Sequence, residues 1–349
     1  MPTFTADKLR EIGIRIFEAA GASEREAERV TELLVKSNLA GHDSHGFIRV
    51  PRYIEMIREG EIVPGAKTEV VRETPATVVL DGNWGFGQVT ATESMEIAIE
   101  RAEQCAVSSI GVHNCNHVGR LADYPEMASK QDMVGMMTVN DHGVGRLVAP
   151  WGGIARRYAP NPISFAIPRE QEAPILLDIS TSVVAEGKLR VKRNRGEQTP
   201  EGWIIDSEGR PTTDPNDFYD PPEGALLPMG GIVGYKGYGL GLVLDILAGA
   251  LTGAGCSRPE ATRLGNGILI IVLDIKRFVP LDTFKQQVED FVAYVKSSPT
   301  APGFGEILVP GDVELREMKR RSREGIPIEE TTWEQIVEAA RSVGLSVSL

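Results

Sequence analysis

Between Asn38 and Tyr53 the chain gathers His42, Asp43, Ser44, His45, Arg49 and Arg52 into a stretch broken by Gly41 and Gly46, at a junction between two helical patterns. Polar side chains can converge at such a junction without a core to satisfy. His45 and Arg49 are four residues apart, so a helix beginning near His45 puts them on one face, where they can address one small anion together. An Arg fork takes a carboxylate through two parallel hydrogen bonds, and a His beside it moves a proton near neutral pH. A charge-assisted bond of this kind contributes roughly 1.5–3 kcal/mol, enough to decide which end of a small acid is held. The plainer alternative is a helix cap, Asp43 or Ser44, beside surface charges.

Three further stretches carry chemistry. His113, Asn114, Cys115, Asn116, His117, Val118 and Gly119 fall where a strand-like run ends and a helix is expected, the edge at which open α/β sheets place ligands. His117 is the better acid or base there, and the positive helix end should lower its pKa; strand alternation sends His113 toward the core. The alternation of His113, Cys115 and His117, with His42 and His45 added, also suggests a metal site, but no Cys-x-x-Cys or His-Glu-x-x-His spacing occurs, and none is expected. Asp178, at the end of an apolar run and before Ile179, Ser180, Thr181 and Ser182, can orient a His, bind a ribose hydroxyl or cap a helix. Finally, the glycine-rich stretch Gly230–Gly241 runs into an apolar helix and holds Lys236, an arrangement suited to a nucleotide phosphate. Glycines there also permit tight helix packing. Gly85/Gly87 and Gly143/Gly145 both lack the third glycine of a Rossmann fingerprint.

The elements that must hold these groups fall into two sets. Thr5 caps a first helix ended by Gly21; Ser23 and Glu26 form a capping box for a second that runs to Gly41, and a third runs to Gly60, with Pro51 near its start. Residues 1–66 therefore read as a small all-helical domain, joined by a C-terminal helix in 312–349. Residues 67–311 read as an α/β domain binding nucleotide and substrate. Strands are expected at Glu69–Arg72, Thr77–Leu80, Val107–His113, Met133–Val139, Ser164–Ile167, Ile175–Ile179 and Ile268–Leu273. Helices are expected at Gln88–Cys105, Gly119–Lys130, Gly239–Leu251, Leu281–Val295 and Thr332–Val343. That alternation predicts a layered sheet covered by helices. Arg190–Gly234, rich in Pro dipeptides, reads as a long functional loop or interface arm.

Composition narrows the classes. A chain of 349 residues with 42% hydrophobic and 25% charged residues is an ordinary globular protein long enough for two domains. Its net charge of -12 disfavours nucleic acid. No apolar run spans a membrane, and the amphipathic N-terminus lacks an export signal pattern. Three scattered cysteines fit a reducing compartment, so a cytoplasmic location is expected.

Taken together, Ser44 to Gly46 with Arg49 and Tyr53, Asn116 to Gly119, Pro150 to Gly153, Asn161 and Pro162, Leu177 and Asp178 with Thr181, Ser182, Gly187 and Lys188, Gly202 to Pro215, Lys236 to Leu240, Pro310 and Gly311, and Gly325 to Pro327 resemble the malate/L-lactate dehydrogenase type 2 family. Its relatives include ureidoglycolate, sulfolactate and imino-acid (piperideine/pyrroline-2-carboxylate) reductases. The resemblance implies a non-Rossmann fold, a homodimer, and NAD(P)-dependent reduction of a 2-oxo acid or a cyclic imino acid. It makes Arg49 the carboxylate ligand. It makes His117 the acid/base in ureidoglycolate-type members, or His45 with Asp178 in imino-acid reductases. It also puts Asp141, Asp178, Ile179, Ser180, Lys236, Pro310 and Gly311 at cofactor-contacting positions. Asp141 would repel an added 2'-phosphate if it lay near the ribose, which tilts NAD over NADP. Ala159 and Pro160 stand where the family usually has Gly-Thr, a departure that bears on the local backbone. The leading expectation is a dehydrogenase of a malate- or lactate-type acid in which Arg49 holds the carboxylate and His117 or His45 moves the proton. Ser44 is a further catalytic candidate, and His45, beside it, is the better placed of the two histidines to orient substrate. The rivals are the imino-acid reductase, a metal-assisted lyase or hydrolase built on His113 and His117, and a non-catalytic binding protein.

Overall fold

The computed structural model describes residues 1–170 and 173–347. The chain opens with a two-residue strand, β1 (Thr3–Phe4), and helix α1 (Ala6–Ala19), whose start is fixed by the Thr5 hydroxyl accepting from the Lys8 N–H at 3.1 Å. Helix α2 (Glu24–Leu39) carries the expected capping box. Glu26 accepts from the Ser23 N–H at 2.9 Å, and Ser23 Oγ accepts from the Glu26 N–H at 3.4 Å. Two single 3-10 turns, Asp43–His45 and Phe47–Arg49, lead into α3 (Val50–Arg58), where Pro51 sits in the first turn and so sacrifices no helical hydrogen bond.

The α/β part begins with β2 (Glu69–Glu73) and β3 (Thr77–Asp81), then α4 (Gly87–Cys105), β4 (Val107–Cys115), α5 (Pro125–Ser129), β5 (Met133–Asn140), β6 (Ile163–Ile167) and β7 (Ile175–Ile179). Here the structure departs from the expected helix Gly119–Lys130. Pro125 has no N–H to give, and the segment breaks into a 3-10 turn, Leu121–Asp123, and the short α5. Next come α6 (Glu186–Asn194), β8 (Ile204–Ile205), β9 (Pro211–Thr212), α7 (Asn216–Tyr219) and β10 (Ala225–Leu226). The expected loop Arg190–Gly234 is therefore structured: β10, β8 and β9 form a small antiparallel sheet over a core of Val148, Tyr158, Leu189, Ile204 and Phe218. Strands of two residues are too short to leave a hydrophobic period.

Helix α8 (Tyr235–Asp245) starts four residues earlier than expected and continues as a π-helical turn, Ile246–Ala250. The chain then forms β11 (Asn266–Asp274), α9 (Leu281–Lys296), α10 (Asp312–Glu324), β12 (Ile326–Pro327) and α11 (Glu330–Ser342). The main sheet has seven strands in the order β2-β3-β4-β11-β5-β6-β7, with β3 and β4 parallel and every other neighbour antiparallel. Strand β11 is central and apolar, and α4 covers one face through Ala91, Met95 and Ala98. This is a mixed sheet flanked by helices, a layered non-Rossmann α/β fold.

A separate apolar cluster joins α1, α2 and α3 to α11 through Phe17, Phe47, Tyr53, Trp333 and Ile336, and β12 pairs with β1. The last helix thus packs on the first three. Two residues in each expected span, 171–172 and 348–349, lie outside the described ones. No helix among the described residues is long and apolar enough to cross a membrane.

Candidate active site

The junction is built around Asn38, buried in the last turn of α2. Its side-chain oxygen accepts from the Phe47 N–H at 2.8 Å and its amide donates to Asp43 at 2.6 Å. Gly46 is required by this contact, since a Cβ there would stand 2.2 Å from Asn38 Oδ1. The glycine separates the two 3-10 turns, so His45 and Arg49 are not on one continuous helix as their spacing suggested. They converge nonetheless. Arg49 Nε donates to the Ser44 carbonyl at 2.7 Å, and Ser44 Oγ lies 3.0 Å from His45 Nδ1. No hydrogen bond among the described residues engages the terminal nitrogens of Arg49. Helix α6 seats against this turn at Gly187, where a Cβ would lie 3.0 Å from Ser44 Cβ.

His117 arrives from the opposite side. No helix begins there. The strand β4 ends at Cys115, and side chains hold the following segment: buried Asn116 donates to the carbonyls of Trp84 at 2.7 Å and Gly85 at 2.9 Å, and Asn266 accepts from the Val118 N–H at 3.1 Å. The His117 ring stacks on that of His45, centroids 5.6 Å apart and planes 16° from parallel. Tyr53 Oη lies 2.6 Å from His117 Nδ1 and accepts from Gln88 Nε2 at 2.8 Å. Arg49, His45, His117 and Tyr53 thus form one cluster lined by α3, the 3-10 turns and the start of α4.

The electrostatics keep both histidines neutral. Burial pushes His45 down to about 3, with Arg49 the next contributor. His117 is held well below its ordinary value by burial, then by Arg49 and His45. The lowered pKa of His117 was expected from a helix end; its cause is desolvation and a neighbouring cation. Burial likewise raises Tyr53 to about 12. Asp141, at the end of β5, rises to about 7 through burial and the nearby Asp245, offset in part by Arg49 and by Asn266, whose amide donates to it at 3.3 Å.

The remaining expected residues are distributed as follows. Asp178 Oδ2 accepts from the Ala122 N–H at 2.9 Å and makes no hydrogen bond to His45; burial raises its pKa. Pro310 and Gly311 lie beside the same strand, the Leu176 N–H donating to the Pro310 carbonyl at 3.0 Å. Ile179 pairs with Ile163, and Ser180 Oγ donates to the Ser182 carbonyl at 3.2 Å. Asp178 to Ser180 and the 310–311 segment therefore share one sheet edge, whereas Asp141 belongs to the histidine end. Lys236 is exposed in the first turn of α8. The glycines around it divide their work: Gly237 lets the helix approach the Met229 carbonyl, 2.2 Å from where a Cβ would be, while nothing lies within 4 Å of Gly231 or Gly239. The Ala159-Pro160 departure is accommodated, since the Pro160 carbonyl accepts from Thr181 N at 2.8 Å and Asn161 ties the loop to the Gly241 carbonyl at 3.0 Å.

The rival metal grouping does not assemble. His113 is partly exposed with Nδ1 3.8 Å from Asp81, Cys115 is buried with its thiol toward the Asn116 carbonyl, and His117 turns to Tyr53. No group of three or more His, Cys, Asp or Glu side chains able to hold a metal occurs among the described residues. Gln88 carries no sequence signal as a site residue, and Tyr53 enters the sequence reading only through the family resemblance, yet both belong to the site. The available signal was spacing, because Tyr53 follows Arg49 by four positions and shares its helical face.

Comparison with known proteins finds matches over nearly the whole chain. The family model described as malate/L-lactate dehydrogenase matches residues 4–337. Malate dehydrogenase of Pyrococcus horikoshii is 37% identical over 347 residues, covering 97% of this chain and 95% of that protein. A solved structure of the Pyrococcus horikoshii malate dehydrogenase superposes with a TM-score of 0.89 at 35% identity, over 99% of this chain and 96% of that one. The Δ1-piperideine-2-carboxylate reductase of Pseudomonas syringae pv. tomato gives a TM-score of 0.84 at 28% identity, over 97% and 100%. A match of this extent, carried on a fold with no Rossmann fingerprint, makes the chain a member of the malate/L-lactate dehydrogenase family of 2-hydroxy acid oxidoreductases.

Proposed function

We propose that this enzyme transfers a hydride between a nicotinamide cofactor and C2 of a small 2-hydroxy/2-oxo acid of the malate or lactate type. The observation that carries the reading is Arg49: its Nε is spent on the Ser44 carbonyl, its terminal nitrogens have no hydrogen bond among the described residues, and its charge bears on both His45 and His117. The fork holds the substrate carboxylate and so fixes which carbon is presented. Since Tyr53 occupies His117 Nδ1, Nε2 is the ring atom that exchanges a proton with the substrate oxygen. Ser44 and His45 orient the acid from the other side. Buried Tyr53 keeps water from the Nδ1 side of the His117 ring.

A nicotinamide cofactor fits residues that are otherwise unexplained. Lys236 and the open glycines at the start of α8 suit its phosphates, and Asp178, Ile179, Ser180, Pro310 and Gly311 line the adjoining sheet edge. When bound, the cofactor supplies or accepts the hydride. The choice between NAD and NADP is left to the assay, because Asp141, expected to repel a 2'-phosphate, stands instead beside Arg49, Asn266 and Asp245 with its carboxyl raised to about 7. Oxidation of NADH and of NADPH, screened over 2-oxo acids and cyclic imino acids, tests the whole reading; turnover confined to cyclic imino acids would replace it with the imino-acid reductase. Against that alternative stands the bond of Asp178 to Ala122 rather than to His45.

We also propose a homodimer. The face of α8 and its π-helical continuation that bears Tyr235, Leu242, Val243 and Ile246 is exposed and apolar, and a second copy would cover it. Sedimentation of the parent and of Leu242→Glu decides this: a parent that runs as a monomer sinks the proposal. The same reading takes residues 1–66 with 312–349 as one domain and 67–311 as the other, in a cytoplasmic protein whose three cysteines are free.

A further inference from the structure

The chain of hydrogen bonds behind His117 has a direction. Gln88 Nε2 is a donor only, and it points at Tyr53 Oη at 2.8 Å. The phenol has one hydrogen, and it cannot be directed at another donor. It must therefore go to the remaining neighbour, His117 Nδ1, at 2.6 Å. That nitrogen then accepts, and a neutral imidazole that accepts at Nδ1 carries its own hydrogen on Nε2. Both supporting residues are sealed from solvent, Tyr53 at 2% and Gln88 at 1% exposure, so no water competes for the phenol. They come from different helices, α3 and α4, packed into the core, which fixes the phenol oxygen against the ring.

We infer that Tyr53, oriented by Gln88, is a positioning residue that sets His117 in the tautomer with hydrogen on Nε2, and so presents a donor to the substrate oxygen. This deepens the reading of His117 as the proton-exchanging group and rests on it. A 2-oxo oxygen is a pure acceptor and matches such a donor, so the resting site is set for reduction. As the Nε2–H bond breaks and the substrate oxygen gains that proton, the Tyr53 Oη–H proton passes to Nδ1, so the ring stays neutral. The phenolate oxygen keeps the Gln88 hydrogen bond until it is reprotonated. Arg49 and His45 are the other charged or titratable groups that face this ring.

The test has a readout independent of turnover. In 15N-histidine-labelled enzyme, with His117→Gln used to assign the signal, the wild-type spectrum should show His117 protonated at Nε2 and bare at Nδ1. Tyr53→Phe should lose that preference and give averaged ring-nitrogen shifts, with kcat for 2-oxo acid reduction falling roughly tenfold or more at little-changed KM and unchanged NADH affinity. Gln88→Met provides a second variant should Tyr53→Phe fold poorly, and it too should blur the tautomer. A wild-type signal protonated at Nδ1, or a pure Nε2 form surviving in either variant, overturns the inference. If the tautomer behaves as stated and kcat does not move, the positioning stands and the assignment of His117 to proton transfer is what falls.

Discussion

Asp43 and Arg321, separated by 278 positions in the chain, form a two-point ion pair, with Arg321 Nη1 2.6 Å from one carboxylate oxygen and Nη2 3.0 Å from the other. Arg321 also donates to the Asn38 carbonyl at 2.7 Å, so α10 holds the junction that carries Ser44, His45 and Arg49. Arg321 is largely buried while Asp43 is half exposed, which keeps the pair from being a pure desolvation cost. Arg321→Met should destabilise the protein by about 1–3 kcal/mol in denaturant titration and raise the KM of the acid, because the junction loosens. A variant with lowered stability and unaltered KM would mean that the pair supports the fold and not the site.

Arg49→Met should raise the apparent KM for every accepted acid and leave NADH affinity nearly unchanged. The Ser44 carbonyl loses its Nε donor in the same change, so some loss of kcat is expected as well. Should cofactor affinity collapse while KM stays in place, Arg49 serves the cofactor.

Opposite pH dependences are expected from two groups that share Arg49 as a charged neighbour. His45 is depressed to about 3 from an ordinary 6.5, so the unfolded chain binds a proton that the native site refuses, and stability falls as pH drops from about 6.5 toward 3. Asp141 is raised to about 7 from 3.8, so the native state holds a proton that the unfolded chain has released, and stability falls as pH rises from about 4 to 7. Denaturant midpoints should therefore lose part of their acid-side slope in His45→Gln, and Asp141→Asn should gain stability at pH 7 relative to pH 4. Slopes identical to the parent would contradict both. In kinetics, His117→Ala should remove most of kcat at near-normal KM, whereas His45→Ala should damage both.

Lys236→Ala should weaken nucleotide binding about tenfold, the loss of roughly 1.4 kcal/mol expected for one charged contact. NADH fluorescence titration of the folded variant measures it. An unchanged affinity would leave the Gly230–Gly241 stretch with packing as its role, as Gly237 against Met229 already illustrates.

What the sequence discloses depends on how local the physics is. The Ser23–Glu26 box, the start of α3 at Pro51 and the strands β5 and β11 rest on neighbouring residues, and all were legible. The junction was legible as a cluster because its polar residues are adjacent in the chain, although Gly46 breaks the helix that the His45–Arg49 spacing implied. Gln88, Tyr53 and His117 were not legible as a unit. Their bonds span 35 and 64 positions, and no periodicity records a contact of that kind. The two-residue strands β8 to β10 were missed for a different reason, since they contain no repeat to detect.

The pairing of β1 with β12, and of the first three helices with α11, has a consequence for how the protein is made. Helices α1 to α3 leave the ribosome well before α11, yet the surface that Phe17, Phe47 and Tyr53 present is closed only when Trp333 and Ile336 emerge. At roughly 5–20 residues per second, that interval is on the order of tens of seconds. During it the nascent chain carries an aromatic face whose native cover, α11, has not yet been made.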